Sequence, residues 1–239
     1  MWGMEINLKK TQYMTITHRK SIFRFNYTLM GNDLIQTDRV KYLGITFTSA
    51  LKWNTHIDNT CTKAFRTLGF LRRKLTAAPS YVKLTAYKTL VRPILEYGSI
   101  VWNPHQKGLS QKLESIQNKA LRFIYHKYSR HESVSALRSQ AALPTLVCRR
   151  SVAVMKFLFM LCNNYINIDK RDYVQPPHRH SNRTYHNRHI RQYPTQCDTF
   201  RYSYFPWAIE IWNTLPKEIV ETDSVDSFVA KLESYFGCS

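Results

Sequence analysis

Acidic side chains are the first residues that could carry catalytic chemistry in this chain. The sequence has 16 Asp and Glu residues against 35 Lys and Arg residues, and no two aspartates are adjacent. Metal-assisted transfer of a nucleotidyl group needs carboxylates that converge on two ions about 3.5 to 4 Å apart. The central acids are instead isolated among basic residues, at Asp58, Glu96, Glu114 and Glu132. We therefore predict solvated charges or helix caps at these positions, and no catalytic residue in this chain.

The histidines of one basic stretch are the next candidates, because imidazole is a common metal ligand. Acids and thiols lie only at the margins of this stretch, and arginines are interleaved with the histidines. Such arginines would repel a cation, so the sequence favours a solvated basic loop and predicts no metal site. The four histidines are His178, His180, His186 and His189.

The excess of basic residues indicates a polyanionic partner. The formal net charge is +19, and such a charge destabilises a compact fold by self-repulsion unless a polyanion neutralises it. Residues 201–239 reverse the sign, with 3 basic and 6 acidic side chains. Charge alone favours nucleic acid as the partner, although basic structural proteins and membrane-surface proteins share this composition.

Basic side chains on predicted helices are the strongest candidates for contacts with RNA or DNA. A helix holds several charges on one rigid element and can lay them along a phosphate backbone. The basic loop offers arginines and tyrosines for phosphates and unpaired bases, but a disordered linker without specific contacts is an equally open interpretation. The helical candidates are Arg66, Arg72, Arg73, Lys74, Lys119 and Arg122, and the loop candidates are Arg183 and Arg188.

Hydrophobic periodicity predicts the elements that position these residues. Between residues 13 and 47 apolar residues alternate with polar ones, and Gly31 supplies turn chemistry, so a small antiparallel sheet is expected. The alternating positions are Phe23, Phe25, Tyr27 and Leu29. After Trp53 the spacing becomes helical. Core-facing helices are predicted over residues 54–75, 79–97, 109–124 and 144–161, and a last short helix over residues 226–236.

The second predicted helix contains a proline that should disturb it. Pro79 suits the first turn of this helix. Pro93 is expected to kink or end it, because its ring removes a backbone donor. The apolar residues that recur every four positions, and that we expect to face the core, are Val82, Ala86, Leu90 and Ile94.

These elements predict an α+β fold that is mostly α, with a small antiparallel β-hairpin or sheet followed by a helical bundle. The longest apolar run, residues 152–162, is interrupted by Lys156 and is too short to span a bilayer, so no contact with a membrane is expected. The expected divisions are residues 1–50 for the sheet, 51–168 for the helical domain, 169–199 for a basic His/Arg-rich linker and 200–239 for a C-terminal helical segment.

The cysteines indicate a reducing compartment. The chain has 5 of them, scattered and never spaced as Cys-x-x-Cys. This pattern argues against a disulfide scaffold and against a zinc knuckle. We therefore expect an intracellular protein, located in the nucleus, the cytoplasm or both.

Several short motifs occur in the order found in one enzyme family, and this order is more specific than any single motif. The positions are Asn7, Lys10 and Thr11; Tyr42, Leu43 and Gly44; Trp53, His56 and Ile57; Leu95, Tyr97, Gly98 and Trp102; Ile116, Gln117, Asn118, Ala120, Leu121 and Arg122; and Trp212, Asn213, Leu215 and Pro216. With these motifs the chain resembles the end of the palm, the thumb and the downstream region of reverse transcriptases from jockey-like non-LTR retrotransposons.

The resemblance implies descent from an RNA-directed DNA polymerase that copies element RNA at a nicked chromosomal target. It also implies that the metal-binding aspartates of the family would lie upstream of Met1. The chain is then a truncated fragment, inactive alone, with no cofactor of its own and with magnesium expected only in an intact polymerase. The retained palm end and thumb would grip a primer and template, with Lys10 near incoming phosphates. The expected partners are RNA, DNA and the missing N-terminal part of the polymerase.

Two other interpretations stay open at this point. A free-standing basic helical protein could hold RNA or DNA with no link to polymerisation, and the chain could be a non-functional transposon remnant. Charge reversal at Arg72, Arg73 and Lys74 should weaken binding more than changes at Arg183 and Arg188 if the helical candidates carry the contacts.

Overall fold

The computed structural model describes residues 6–17, 25–177 and 186–238. It confirms an α+β fold that is mostly helical. The chain divides into two compact units, Met1–Asn59 and Thr60–Ser239, and the boundary falls inside the first long helix. All strands found in the described residues belong to the first unit, whereas the second unit consists of helices and loops.

Short strands in the first unit form three separate pairs. The strands are β1 (Gln12–Tyr13), β2 (Thr28–Leu29), β3 (Asn32–Asp33), β4 (Ile35–Gln36), β5 (Arg39–Tyr42) and β6 (Ile45–Thr48). The pairs β2–β3 and β5–β6 are antiparallel hairpins, as predicted. The pair β1–β4 is parallel, which corrects the expectation of a purely antiparallel sheet, because strands this short carry no periodicity that shows direction. Phe25 and Tyr27 precede β2, and Phe23 lies outside the described residues.

The turn between β5 and β6 explains the Tyr-Leu-Gly motif. Tyr42 pairs with Ile45, so Leu43 and Gly44 form the turn, and their φ angles are both positive, 44° and 83°. Two positive φ values in a two-residue loop are typical of a type I′ turn, whose twist matches that of the strands. Glycine adopts such angles freely, whereas leucine is strained there.

Helices account for most of the second unit. They are α1 (Asn54–Lys74), α2 (Ser80–Ala86), α3 (Arg92–Glu96), α4 (Ser99–Trp102), α5 (Lys107–Tyr125), α6 (Val134–Gln140), α7 (Leu146–Cys162), α8 (Asp198–Arg201), α9 (Tyr204–Trp212), α10 (Lys217–Val220) and α11 (Val225–Tyr235). These bounds confirm the five predicted helices and add short ones that the periodicity did not reveal. Across the described ranges, no helix combines the length and the apolar character needed to cross a bilayer.

The second predicted helix forms, but the predicted buried face was wrong by one residue. Its buried residues are Lys83, Tyr87, Val91 and Leu95, whereas Leu90 is 51% exposed. Between α2 and α3 the chain makes a π-helical turn, Tyr87–Val91, in which the Arg92 N–H bonds to the Tyr87 carbonyl. The wider turn precedes Pro93, which cannot donate to the helix and would clash with the preceding turn. The offset is already present at Lys83, before the wider turn, because this lysine is buried with its ammonium bonded to the Thr76 carbonyl.

Helices α5 and α7 carry the core of the second unit. The buried face of α5 includes the predicted positions Leu109, Leu113 and Ile116. Helix α7 contacts α4, α5, α9 and α11. Because several elements cover it, α7 buries side chains around most of its circumference, at Val152, Val154, Met155, Leu158, Phe159 and Leu161.

Two features of the C-terminal half differ from the sequence predictions. Residues 186–190 are only partly solvated, because His186 is 3% exposed and Ile190 6%, whereas Asn187 and Arg188 are exposed. Cys148 and Cys238, which are 90 residues apart, form a disulfide, although the scattered spacing argued against one. The packing of α11 against α7 brings these two cysteines together, and this tertiary proximity has no signature in the spacing of the sequence.

Candidate nucleic-acid interface

Three basic residues end the first long helix. Arg72, Arg73 and Lys74 form the last turn of α1 and are exposed. Cations are stabilising at a helix C-terminus because they face the negative end of the helix dipole. The helix itself therefore explains part of this cluster, and a binding role needs further support from the surroundings.

A groove of about 420 Å³ lies where the end of α1 meets the end of α5. None of the described residues that line it is acidic. Its walls combine guanidinium, imidazole and aromatic groups, which are the side chains that contact phosphates and stack on bases. The lining residues are Gly69, Arg72, Arg73, Thr76, Phe123, His126 and Tyr128.

Arg72 and Tyr128 present a cation and an aromatic ring together. The guanidinium carbon of Arg72 lies 5.6 Å from the ring centroid of Tyr128, within the range of a cation–π contact. Tyr128 is 50% exposed, and the ring of His126 meets it edge-on at 6.0 Å. A phosphate and a base of one strand could therefore be contacted by neighbouring side chains.

The backbone carbonyl of Thr76, one of the lining residues, connects the two sides of the groove. This oxygen accepts from the Lys83 ammonium at 3.1 Å and lies 3.3 Å from Nε2 of His126. Lys83 is 2% exposed, and its ammonium also lies 5.2 Å from the ring centroid of Phe123. These contacts fix the chain that follows α1 against the end of α5, so the groove is formed before any ligand arrives.

The other helical candidates lie along the same two helices. Lys119 places its ammonium 4.7 Å from the ring centroid of Phe65, one helical turn before the groove on both α1 and α5. Arg66 is exposed beside Phe65 on α1. Arg122 instead donates to the carbonyls of Lys127 and Ser129, at 3.3 and 2.7 Å. Arg122 therefore holds the loop that carries Tyr128, a positioning role that the sequence did not reveal.

The Asn-x-x-Lys-Thr motif forms a small capped turn in the first unit. Residues Leu8–Lys10 make a 3₁₀ turn in which the Asn7 side chain accepts from the Lys10 N–H at 3.2 Å. The Thr11 hydroxyl donates to the Asn7 carbonyl at 3.0 Å. Lys10 itself is exposed. The asparagine and threonine thus stabilise the turn that presents the lysine, and a role for Lys10 at phosphates stays a prediction.

Trp53 and His56 attach the β5–β6 hairpin to the start of α1. The Trp53 ring meets Phe47 edge-on at 5.6 Å. The Thr46 N–H donates to Nδ1 of His56 at 3.2 Å, and His56 is only 5% exposed. Burial lowers the pKa of His56 from its usual 6.5, which keeps this nitrogen available as an acceptor. This motif block therefore has a structural role.

Trp212 and Asn213 fasten the described part of the basic stretch to the C-terminal helices. The Trp212 indole N–H donates to the Arg188 carbonyl at 2.9 Å. Asn213 makes two hydrogen bonds with the Ile190 backbone, at 2.8 and 3.0 Å. The Arg188 guanidinium bonds to Asn163 and to the Val220 carbonyl, both at 3.3 Å, away from the groove. Arg183 lies outside the described residues.

The residues that the structure describes include no group of three or more His, Cys, Asp or Glu side chains placed to share a metal ion. Of the four histidines in the basic stretch, His178 and His180 lie outside the described residues. The rings of His186 and His189 are 4.9 Å apart. His186 uses both nitrogens, with Trp212 and with the Arg188 N–H.

The fold and the groove define a basic, mostly helical protein with a surface suited to a polyanion. No family model matches the chain, and no solved structure matches it. It is 28% identical over 127 residues to the "Probable RNA-directed DNA polymerase from transposon BS" of Drosophila melanogaster. It is 32% identical over 130 residues to the "RNA-directed DNA polymerase from mobile element jockey" of the same organism.

Each of these similarities covers 52% of this chain and 14% of the relative. The chain thus spans a small part of the length of the curated relatives that it matches. The similarity confirms the resemblance to jockey-like retrotransposon reverse transcriptases that the motifs indicated.

Proposed function

We propose that this chain is part of a retrotransposon RNA-directed DNA polymerase and that it grips nucleic acid without extending it. Its second unit acts as a thumb that tracks the backbones of a primer and template. The similarity to two RNA-directed DNA polymerases supports the origin. The order of the motifs along the chain supports the assignment to the end of the palm and the thumb.

The groove between the ends of α1 and α5 is the observation that carries this proposal. Arg72 and Arg73 line it together with the half-exposed ring of Tyr128. Lys119 and Phe65 extend the basic and aromatic surface by one helical turn. Phosphate neutralisation supplies most of the affinity for nucleic acid, and aromatic rings add stacking on unpaired bases. RNA and DNA are therefore the proposed partners. The chain would bind them in the nucleus or in the cytoplasm.

Catalysis would need acidic residues from another polypeptide segment. Two-metal nucleotidyl transfer depends on convergent carboxylates, and this sequence has no adjacent aspartates. We therefore propose a polymerase segment bearing those carboxylates, with its magnesium, as the protein partner. The 239-residue chain alone is expected to bind a primed template and to leave the primer length unchanged in magnesium buffer.

A salt titration of binding to a recessed primer–template tests the proposal. The logarithm of the affinity should fall linearly with the logarithm of salt concentration, by about 0.9 for each phosphate neutralised on duplex DNA. The double variant R72E/R73E should lose affinity by at least about tenfold at moderate salt and show a slope shallower by about 0.9 per lost contact.

The matched control is the double variant K217E/K231E, which changes the charge by the same amount in the C-terminal segment. Lys217 lies 3.7 Å from Glu221, and Lys231 donates to the Glu218 carbonyl at 2.7 Å, so neither lies at the groove. Circular dichroism should show that both variants fold. An equal loss of affinity in the two variants would contradict the assignment of the groove.

A free-standing nucleic-acid-binding protein is the alternative function, because the second unit has its own core around α5 and α7. Equal affinity for plain duplex and for a recessed primer end would favour this alternative. Preference for the primer end would favour a polymerase thumb. Absence of any salt-dependent binding would indicate a remnant without function.

A further inference from the structure

The loop after α5 holds Tyr128 in a fixed position. The Arg122 guanidinium donates to the carbonyls of Lys127 and Ser129, the residues on either side of Tyr128, at 3.3 and 2.7 Å. The Glu132 N–H donates to the same Ser129 carbonyl at 3.3 Å. The Lys127 ammonium lies 2.8 Å from the Glu132 carboxylate. The backbone on both sides of the tyrosine is therefore held, although the residue itself is 50% exposed.

This arrangement uses one arginine to position a loop. A single nitrogen of Arg122, Nη1, supplies both hydrogen bonds to the loop carbonyls. Ordering a loop or a side chain at the moment of binding costs free energy, and a group that is already held avoids most of this cost. Tyr128 is thus an exposed ring on a backbone that is ordered before any ligand binds.

Two cations lie next to this ring in the groove. The guanidinium carbon of Arg72 lies 5.6 Å from the Tyr128 ring centroid. A Cβ added at Gly69 would lie 3.7 Å from Nη1 of Arg73, so the Arg73 guanidinium lies beside this glycine in the groove wall. Within the described ranges, neither arginine lies within salt-bridge distance of a carboxylate. Both cations are therefore available to a phosphate.

Stacking on the exposed part of Tyr128 requires an unpaired base. In a duplex, neighbouring bases cover the faces of each base, and a protein reaches mainly the base edges and the backbone. In a single strand the faces are open to aromatic rings and to guanidinium planes. The groove volume of about 420 Å³ lies within the range of pockets that hold small molecules, so the groove has room for one nucleotide.

We propose that the groove binds an unpaired nucleotide, whose base stacks on Tyr128 and whose phosphate contacts Arg73, and that Arg122 positions the ring. On a recessed primer–template this nucleotide belongs to the template overhang. The inference rests on the proposed function and names the part of the nucleic acid that the groove contacts. Tyr128 then determines the preference for a recessed end over plain duplex.

Three probes with the same duplex length test the stacking contact by fluorescence anisotropy at one salt concentration. They are a blunt duplex, a duplex with a short template overhang, and the same overhang with abasic sites in place of its nucleotides. The abasic overhang keeps every phosphate but has no base to stack. We expect the full chain to bind the intact overhang at least about fivefold more tightly than the abasic one. Equal affinity for these two probes would overturn the proposal.

Substitutions of two equally exposed tyrosines identify the ring responsible. Tyr128→Ala should remove the difference between intact and abasic overhangs, whereas Tyr128→Phe should keep it because the ring remains. Tyr235→Ala is the matched control, since Tyr235 is 49% exposed on α11, and it should change nothing. Circular dichroism identifies any variant that fails to fold, and the wild-type comparison of the probes then decides alone. A difference that persists in folded Tyr128→Ala would contradict the proposal.

The positioning role of Arg122 has a separate readout. In Arg122→Met the preference for the intact overhang should fall, and Arg122→Lys should restore part of it. The dependence of the affinity for a single-stranded oligonucleotide on salt should keep its slope in Arg122→Met, because the guanidinium contacts carbonyls and not phosphates. A slope shallower by about 0.7 would show a lost phosphate contact and would overturn this role.

The three probes also separate this inference from the proposed function. Salt-dependent binding with equal affinity for intact and abasic overhangs would overturn the stacking contact and leave the proposed binding of nucleic acid standing. Absence of salt-dependent binding to every probe would overturn both.

Discussion

At the scale of single residues, the motif side chains mainly form hydrogen bonds that connect separate segments of the chain. Asn213 pairs with both backbone groups of Ile190, much as a neighbouring strand would. His56 accepts from the Thr46 N–H and so ties the β5–β6 hairpin to α1. These roles explain why the motifs contain asparagine and histidine, which combine a short side chain with hydrogen-bonding capacity.

Replacing Asn213 with alanine should destabilise the second unit by about 1 to 3 kcal/mol, because a buried N–H and carbonyl of Ile190 lose their partner. Denaturant unfolding measures this loss. Asn187→Ala is the matched control, because Asn187 lies in the same segment and is exposed, and its effect should stay within about 0.5 kcal/mol. Equal effects of the two substitutions would refute the role assigned to Asn213.

The His56 contact should weaken in acid. Because burial holds the pKa of His56 below 6.5 in the folded chain, the unfolded chain takes up the proton first as pH falls. The contribution of His56 to stability is therefore present above about pH 6.5 and is lost as pH falls through its folded pKa. The protection factor of the Thr46 amide in hydrogen exchange should follow this loss.

His56→Asn provides the control, because its amide oxygen can accept the same hydrogen bond without titrating. Protection of the Thr46 amide should then depend much less on pH between 7 and 5. The same pH dependence in both proteins would show that another group controls the hairpin.

At the scale of elements, two departures from regular structure decide which side chains are presented. In the π-helical turn before Pro93, Tyr87 and Val91 are buried and Leu90 is half exposed. The type I′ turn after Tyr42 holds Leu43 with a positive φ and 72% of its side chain exposed. A strained, exposed apolar residue is typical of positions kept for binding rather than for folding.

Leu43→Asn should stabilise the β5–β6 hairpin by about 1 kcal/mol, because asparagine tolerates the left-handed conformation and Asn-Gly is the preferred type I′ pair. Gly44→Ala should have the opposite effect at the neighbouring position. Hydrogen exchange of the hairpin amides measures both changes. Destabilisation by Leu43→Asn would show that the leucine side chain contributes more to folding than its exposure indicates.

The sequence predicted the long helices better than it predicted the contacts between segments. The α5 face was readable because Leu109, Leu113 and Ile116 repeat at helical spacing. The buried face of the second helix was not predicted correctly, because it includes Lys83, whose ammonium donates to the Thr76 carbonyl, and a pattern of apolar residues does not reveal a buried lysine. The basic cluster at the end of α1 was found from its charge, whereas the role of Arg122 depends on a loop contact that no local pattern encodes.

At the scale of the whole molecule, the net charge of +19 links stability to the ionic environment. Salt screens the repulsion among the basic side chains. The melting temperature of the free protein should therefore rise between low and moderate salt, although the same salt weakens its binding to nucleic acid. Differential scanning calorimetry measures the first trend. A melting temperature that falls with salt would show that attractive ion pairs, such as Arg149 with Glu96, outweigh the repulsion.

The most direct test of the binding groove is a hydrogen-exchange footprint of the full chain with and without a recessed RNA–DNA primer–template. The account predicts that protection increases at the ends of α1 and α5, over residues 69–76 and 123–128, while the α10–α11 region stays unchanged. Protection confined to other basic segments, with residues 69–76 and 123–128 unaffected, would contradict it.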